Sequence, residues 1–548
     1  MTLLAVAGAA SGEMRSAKKD ISSNIEVFSA VIKQLQNSYV DSIDMNDIVK
    51  TGISAMLSRL DPYTEYFDTK EQQEFLDRNV GEYGGIGSYI QLRDGYVHIS
   101  GPREGSPAAR AGLRNGDKIL EIDGEDMKGK TTDDVSKKLR GPIGTQVSVR
   151  IARPWVDDSI MTIAVTRDKI QVPSVPYHGV IGGDLGYIKL DDFLEKSGPQ
   201  FKDALNDMLR NDQIKGLIID LRGNGGGYLQ SAVEILGHFV PKGTEVLRTR
   251  GRSALEERIY KTTTKPSAPE LPLVVLIDGG TASSSEIVSG ALQDLDRAVI
   301  MGGRSFGKGL VQSTYGLPAD GMMKLTTAKY YIPSGRLIQA IDYTNRAVDG
   351  SAKRVADSLT NEFHTAKGRI VRDGGGITPD INIDYPEVSR VTYNVVADNW
   401  ASDFATKYFA EHPQAPAPED IVMTDSLYAD FKRFIDPERF NYDKVCEQAL
   451  ASVRELAKVE GYMSDEVEEQ IARLEGLMKH SLDRDLDTHR EAISPFIVNE
   501  IAERYYYDRG REQSGLRFDP AIDKAIELLH DPARHAALLT PAVNAPKK

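Results

Sequence analysis

The chain is 548 residues long, enough for several domains and for large apolar cores. Its net charge of −14, without a basic run, argues against nucleic acid as the main partner. A single cysteine, Cys446, excludes an internal disulfide framework and a Cys-rich metal site, and nine histidines without a His-Glu-x-x-His spacing argue against a zincin.

Residues 2–12 are apolar and rich in small side chains. They read as the end of a secretory apolar segment with a cleavage zone, lacking its basic flank, or else as a frayed tail. Residues 1–20 are therefore expected to be disordered or a signal remnant, and the protein to be exported, to the periplasm or beyond. No later stretch is long and apolar enough to span a bilayer. Residues 21–80 are expected to be helical. Ile25, Phe28, Val31, Ile32 and Leu35 form one stripe, and Ile48, Met56, Leu57 and Leu60 a second. Both read as packing faces.

Residues 81–169 look like a PDZ domain. Gly84-Gly85-Ile86-Gly87 would form a nest of amides for a chain-terminal carboxylate, and the strand after it would accept a peptide along its open edge. Two further segments, residues 105–113 and 116–124, are PDZ-like, and residues 131–139 would be the helix facing the peptide groove. Arg140 closes that helix. There it would complement the helix dipole.

Residues 170–387 read as an α/β core, with strands at 185–190 and 216–221 separated by a helix near 198–210. Asp220-Leu221-Arg222-Gly223-Asn224-Gly225-Gly226-Gly227 forms a glycine-rich turn after the second strand. An apolar run at 273–277 ends in Asp278-Gly279-Gly280. Then follow Thr281-Ala282-Ser283-Ser284-Ser285-Glu286 and a helical pattern of Ile287, Ala291, Leu292 and Leu295. A second apolar piece leads to Gly302-Gly303-Arg304-Ser305-Phe306-Gly307-Lys308-Gly309. A hydroxyl where a strand turns into a helix, and a lysine between two glycines, suit acyl transfer by a serine nucleophile with a neutral lysine base.

Two other readings compete. A Ser-rich turn before a helix commonly serves only as an N-cap. Gly302-x-x-x-x-Gly307-Lys308 matches most of a P-loop, but Gly309 replaces the magnesium-binding hydroxyl, and a strand-like stretch follows where a P-loop needs a helix.

These residues resemble the C-terminal processing peptidases, also called tail-specific proteases. The resemblance lies in residues 282–287, in Ala291-Leu292-Gln293-Asp294, and in Phe306-Gly307-Lys308-Gly309-x-x-Gln312. Residues 60–64, the 220–227 loop (with Gly225 in place of proline), residues 328–336 and residues 374–380 extend it. The resemblance implies Ser283 as nucleophile, Lys308 as base and Gln312 orienting its amine. Asp294 matches a carboxylate important in some members, or is structural, and Arg140 matches an arginine that links peptide binding to activity in some members, or only complements its helix. Gly226 or Gly227, with the Ser284 N–H, would form an oxyanion hole.

No cofactor or metal is implied. The partners would be proteins or peptides held by their C-termini. A homodimer through the N-terminal helices and a periplasmic adaptor remain open. The expected fold is multidomain α+β: N-terminal helices, a PDZ domain, an α/β core of crotonase-like ββα topology, and a helical region at 388–548. In that last region, residues 414–418 read as a linker, and residues 445–456, 467–478 and 520–529 read as amphipathic helices. It would brace the core, bind a partner or carry substrate. Tyr505-Tyr506-Tyr507 reads as packing. The alternative function is a PDZ scaffold with an inactive core.

Overall fold

The computed structural model describes residues 3–157, 159–318, 320–347, 349–442 and 444–541. A helix runs over Leu3–Ser38 and takes in the apolar stretch before residue 21. The local reason is composition: leucine and alanine are strong helix formers, and this stretch continues into the first apolar stripe. The second helix, Met45–Ser58, is capped by Asp44, whose side chain accepts from the Asn46 and Asp47 N–H groups.

After that helix the chain departs from the expected helical pattern. The Asp61 carboxylate accepts from the Tyr63 and Thr64 N–H groups, both at 2.8 Å, closing a turn around Pro62. Glu65–Phe67 then becomes a strand paired with Gly321–Tyr331, and a helix follows over Thr69–Val80.

The PDZ sheet is ordered Ser88–Arg93, Tyr96–Pro102, Lys118–Ile122, Gln146–Ala152, Ile160–Thr166, around a core that includes Val97, Ile99, Ile119, Val149 and Ile151. Ser88–Arg93 lies at its edge. The helix Thr132–Leu139 packs beside it and starts in a capping box made by Thr131 and Asp134. Gly84 and Gly85 do not belong to an open nest. They pair with Lys169 and Asp168 in a two-stranded stalk that joins the PDZ domain to the core. The turn at Ile86 and Gly87 begins only where this ladder ends.

The core is a six-stranded sheet ordered Tyr177–Ile181, Leu185–Lys189, Gly216–Asp220, Leu273–Ile277, Val299–Gly302, Ile381–Asn382. Its first pair is antiparallel and the remaining pairs parallel. One face carries the helices Ser197–Asp207, Leu229–Leu236 and Ser284–Asp294. On the other face Tyr187, Ile218, Val274, Leu276 and Val299 pack against Ala521, Ile522, Ala525 and Leu528 of the helix Pro520–Leu529. The central strands are therefore buried on both sides, which explains their unbroken apolar runs. A second sheet joins Glu65–Phe67, Gly321–Tyr331, Glu245–Gly251 and Arg258–Lys261, with Leu310–Leu317 also paired to Gly321–Tyr331.

The C-terminal region contains the helices Val445–Val459 and Asp465–Met478, close to the expected bounds. Those two pack on each other, while Arg390–Ala397, Trp400–Glu411, Asp425–Phe434 and Arg490–Gly515 enclose a core that includes Trp400, Phe404, Phe431, Ile497 and Ile501. Asp403 takes two hydrogen bonds from the Arg93 guanidinium, at 2.6 and 2.5 Å, and so ties this region to the PDZ domain. The Tyr505 and Tyr506 hydroxyls donate to the His412 and Pro416 carbonyls, so these rings pin the 414–418 segment.

Candidate active site

The site forms where two adjacent parallel strands end, Gly216–Asp220 and Leu273–Ile277, a common place for ligands in such sheets. Asp278 joins the loops that leave them. Its Oδ1 accepts from the N–H groups of Gly223, Gly280 and Thr281 at 2.9, 2.9 and 3.0 Å. Asn224 adds a second weld, because its carbonyl accepts from the Ala282 N–H and the Ser285 hydroxyl, each at 3.0 Å.

Ser283 sits between this turn and the helix Ser284–Asp294, with φ 54° and ψ −116°. A non-glycine residue held there stores about 1–3 kcal/mol of strain. Its surroundings hold it in place. The Ser283 N–H donates to Glu286 Oε2 at 2.9 Å, and its carbonyl accepts from the Ile287 N–H and the Tyr330 hydroxyl at 2.9 and 3.1 Å. The neighbouring hydroxyls are engaged: Ser284 donates to the Gly227 carbonyl at 2.9 Å, and Ser285 to Asn224. Both are buried, whereas Ser283 is half-buried and its hydroxyl donates to no acceptor among the described residues.

Glu286 is the hub of the site. It is fully buried, and besides the Ser283 N–H it accepts from the Ser305 hydroxyl at 2.5 Å and the Gly307 and Lys308 N–H groups at 2.7 and 2.8 Å. Burial pushes its pKa up, while these donors favour the carboxylate. With four donors and, among the described residues, no hydrogen-bond acceptor for a carboxyl proton, the ionised form fits. One carboxylate thus fixes the backbones of both Ser283 and Lys308. Sequence reading treats Glu286 only as a helix-capping residue; its position three residues into the helix is the signal that was available.

The glycines do what close approach requires. Gly307 has φ +88°, and a Cβ there would overlap that of Ala340. Gly226 has φ +92°, and a Cβ would lie 2.6 Å from the Ala282 carbonyl oxygen and 2.7 Å from the Ser283 Cβ. The Gly226 N–H, however, donates to Asn224 Oδ1 at 2.9 Å. The Gly227 and Ser284 N–H groups have no hydrogen-bond partner among the described residues.

Burial lowers the pKa of the Lys308 amine, and the Lys324 charge lowers it further, against Glu286, Asp61 and Glu65. Its Nζ lies 4.2 Å from the centroid of the Tyr63 ring, and it makes no hydrogen bond with Ser283. Gln312 does not reach it either. It lies in the strand Leu310–Leu317, and its amide donates to the Thr326 hydroxyl at 3.1 Å. Asp294 is at the opposite end of the helix from Ser283. It pairs with the buried Arg336 at 2.8 Å and accepts from the Ser334 N–H at 2.9 Å.

The family model for Peptidase family S41 matches residues 184–347, that for a PDZ domain residues 98–153, and "Probable PDZ-protease, C-terminal helical domain" residues 391–529. A carboxy-terminal-processing protease of Bartonella bacilliformis is 38% identical over 320 residues, which cover 58% of this chain and 73% of that protein. The chain belongs to the carboxy-terminal-processing proteases of peptidase family S41. It is a serine-type peptidase with a PDZ domain. The carboxy-terminal processing protease CtpB of Bacillus subtilis is 37% identical over 307 residues, covering 56% of this chain and 63% of that one. The solved photosystem II D1 C-terminal processing protease is 27% identical, covers 65% of this chain and 86% of its own, and superposes with a TM-score of 0.36. The family assignment rests on the sequence matches.

Arg140 caps the helix Thr132–Leu139, and its guanidinium lies 4.4 Å from the centroid of the Tyr83 ring in the stalk. It touches the two-stranded stalk of the PDZ domain and makes no contact with Ser283 or Lys308. In the Gly84–Gly87 segment, Ile86 is buried and Gly87 has φ +72°. The Ile86 and Gly87 carbonyls accept from the Ala108 and Arg103 N–H groups, while the edge strand Ser88–Arg93 follows directly. Among the described residues no group of three or more His, Cys, Asp or Glu side chains is placed to hold a metal ion. No helix among them is long and apolar enough to cross a membrane.

Proposed function

We propose that this chain is a serine endopeptidase that takes protein C-termini into its PDZ groove and cleaves them with a Ser283–Lys308 dyad. The observation that carries this reading is the Glu286 carboxylate, which ties a strained Ser283 and the Lys308 backbone to one buried point. The PDZ edge strand Ser88–Arg93 would take the substrate tail as an added strand, with the Ile86 and Gly87 amides at its terminal carboxylate. The neutral Lys308 amine removes the Ser283 proton as the hydroxyl oxygen attacks the scissile carbonyl. The Gly227 and Ser284 N–H groups receive the oxyanion, with Gly226 packed beneath them and its own N–H held by Asn224. The protonated amine then gives its proton to the leaving nitrogen, and water, deprotonated in turn by Lys308, releases the acyl group.

Gln312 would join by turning its amide from Thr326 to Lys308. Arg140 would act on the stalk through Tyr83, and Asp294 would act only through Arg336. Self-association through the exposed Ile25, Phe28 and Val31 stripe and residence outside the cytoplasm belong to the same reading.

One observation favours the scaffold reading, namely that the Lys308 amine rests on Tyr63 instead of Ser283. The test is cleavage of an unstructured protein with an apolar C-terminus, presented free or amidated. The peptidase reading expects cleavage of the free form, at least tenfold slower cleavage after amidation, and none with Lys308→Ala. A parent that binds the free tail but never cleaves it would establish the scaffold.

A further inference from the structure

The turn at residues 61–64 lies far from Lys308 in sequence, yet it forms one wall of the lysine's surroundings. Three anchors make it rigid. The buried Asp61 carboxylate holds the Tyr63 and Thr64 N–H groups and the Thr64 hydroxyl, the last at 3.1 Å. The Thr64 hydroxyl in turn accepts from the Thr326 N–H at 3.2 Å, and Glu65–Phe67 pairs with the strand Gly321–Tyr331. Tyr63 is fixed at its other end by Tyr343, whose hydroxyl donates to the Tyr63 hydroxyl at 3.3 Å and whose ring meets it edge-on at 6.0 Å. Tyr63 therefore presents a fixed ring face, and the Lys308 amine sits over it.

We propose that Tyr63 is a positioning residue for the reaction: its ring face holds the Lys308 ammonium off Ser283, and the amine must leave that face to act. This inference rests on Lys308 being the base. An aromatic face attracts the ammonium and not the neutral amine, so the contact stabilises the protonated, resting lysine. The other charges acting on the amine are Lys324 from the strand Gly321–Tyr331, Glu65 and Asp61 from the N-terminal segment, and Glu286 from the helix Ser284–Asp294. None of these charged groups pairs with the amine among the described residues, whereas the Tyr63 ring lies directly beneath it, so changing the ring leaves the charged groups in place. The N-terminal segment thereby becomes part of the base's resting state, and a shift of that segment would release the lysine.

The experiment is the pH dependence of kcat/KM in the full chain, whose acid limb reports the base in the free enzyme. Tyr63→Leu removes the ring face but keeps an apolar wall. Its acid limb is expected to move to lower pH by about one unit. Tyr63→Phe retains the ring and is expected to restore the parent's limb. If Tyr63→Leu does not fold, fluorinated phenylalanines at position 63 keep the shape while weakening the ring face, and the limb should then fall stepwise with fluorination. Coincident profiles for all ring variants, with Ser283→Ala and Lys308→Ala both inert, would overturn the role of Tyr63 and leave the dyad standing. Continued cleavage by Lys308→Ala would overturn the dyad, and the Tyr63 inference with it.

Discussion

The helix Ser284–Asp294 ends in two fully buried acids that do opposite work. Glu286, in the first turn, gathers three backbone N–H groups and a hydroxyl and forms no ion pair among the described residues. Asp294, at the last turn, faces the buried guanidinium of Arg336, which also bonds Gln293 at 2.7 Å and the Arg372 carbonyl at 3.0 Å. One acid shapes the backbone from which chemistry is to proceed; the other neutralises a charge the fold has buried. Burial and charge alone do not separate the two. The partners do, because backbone donors belonging to Ser283 and Lys308 couple Glu286 to both, and nothing comparable couples Asp294.

Substitutions at the two ends should therefore separate activity from stability. Glu286→Ala leaves four donors unpaired, two buried and two part-buried, and is expected to destabilise by about 3–5 kcal/mol and to abolish cleavage. Glu286→Gln should remain folded but lose kcat without a matching change in KM, read by thermal unfolding alongside kinetics. Asp294→Ala strands Arg336 and should lower stability by about 3 kcal/mol, while the molecules that stay folded keep the parent's KM and pH profile. A pH profile that moves with Asp294 would break the comparison.

Gly226→Ala sharpens it from the glycine loop. The added methyl meets Ala282 and Ser283 at a left-handed φ, so cleavage should fall by about 10²–10³-fold through displacement of the proposed oxyanion donors. Lys308→Met gives the smallest effect and the opposite sign. The folded state depresses the lysine's pKa, so it binds fewer protons than the unfolded chain between that lowered value and the ordinary one near ~10.4. Stability therefore rises with pH across that window, and below it the buried ammonium is a fixed cost. Removing the charge should stabilise the inert variant at neutral pH by about 1 kcal/mol, seen as a higher Tm.

The strand, turn and helix from Leu273 to Asp294 were legible because an apolar run, glycines and a 3.6-residue pattern follow one another without interruption. The PDZ domain was legible in another way, through an ordered set of glycine motifs that resembles such domains. What local pattern could not show were the contacts across long sequence separation. Asn224 bonds Ala282, Tyr330 bonds Ser283, Tyr63 faces Lys308, and Pro520–Leu529 covers the sheet. Gln312 illustrates the limit in the other direction. A strand places it near the lysine, but its amide finds Thr326 on the paired strand. The helix Arg490–Gly515 stayed hidden because Pro495, Gly510 and a non-helical Tyr507 interrupt its pattern.

The most direct test of the central claim is covalent labelling of the full chain with a serine-reactive fluorophosphonate, followed by mapping of the modified peptide. The account predicts one adduct, on Ser283, whose formation slows at least a hundredfold in Lys308→Ala. An adduct on Ser284 or Ser285, or labelling of Ser283 at the parent's rate without Lys308, would contradict it.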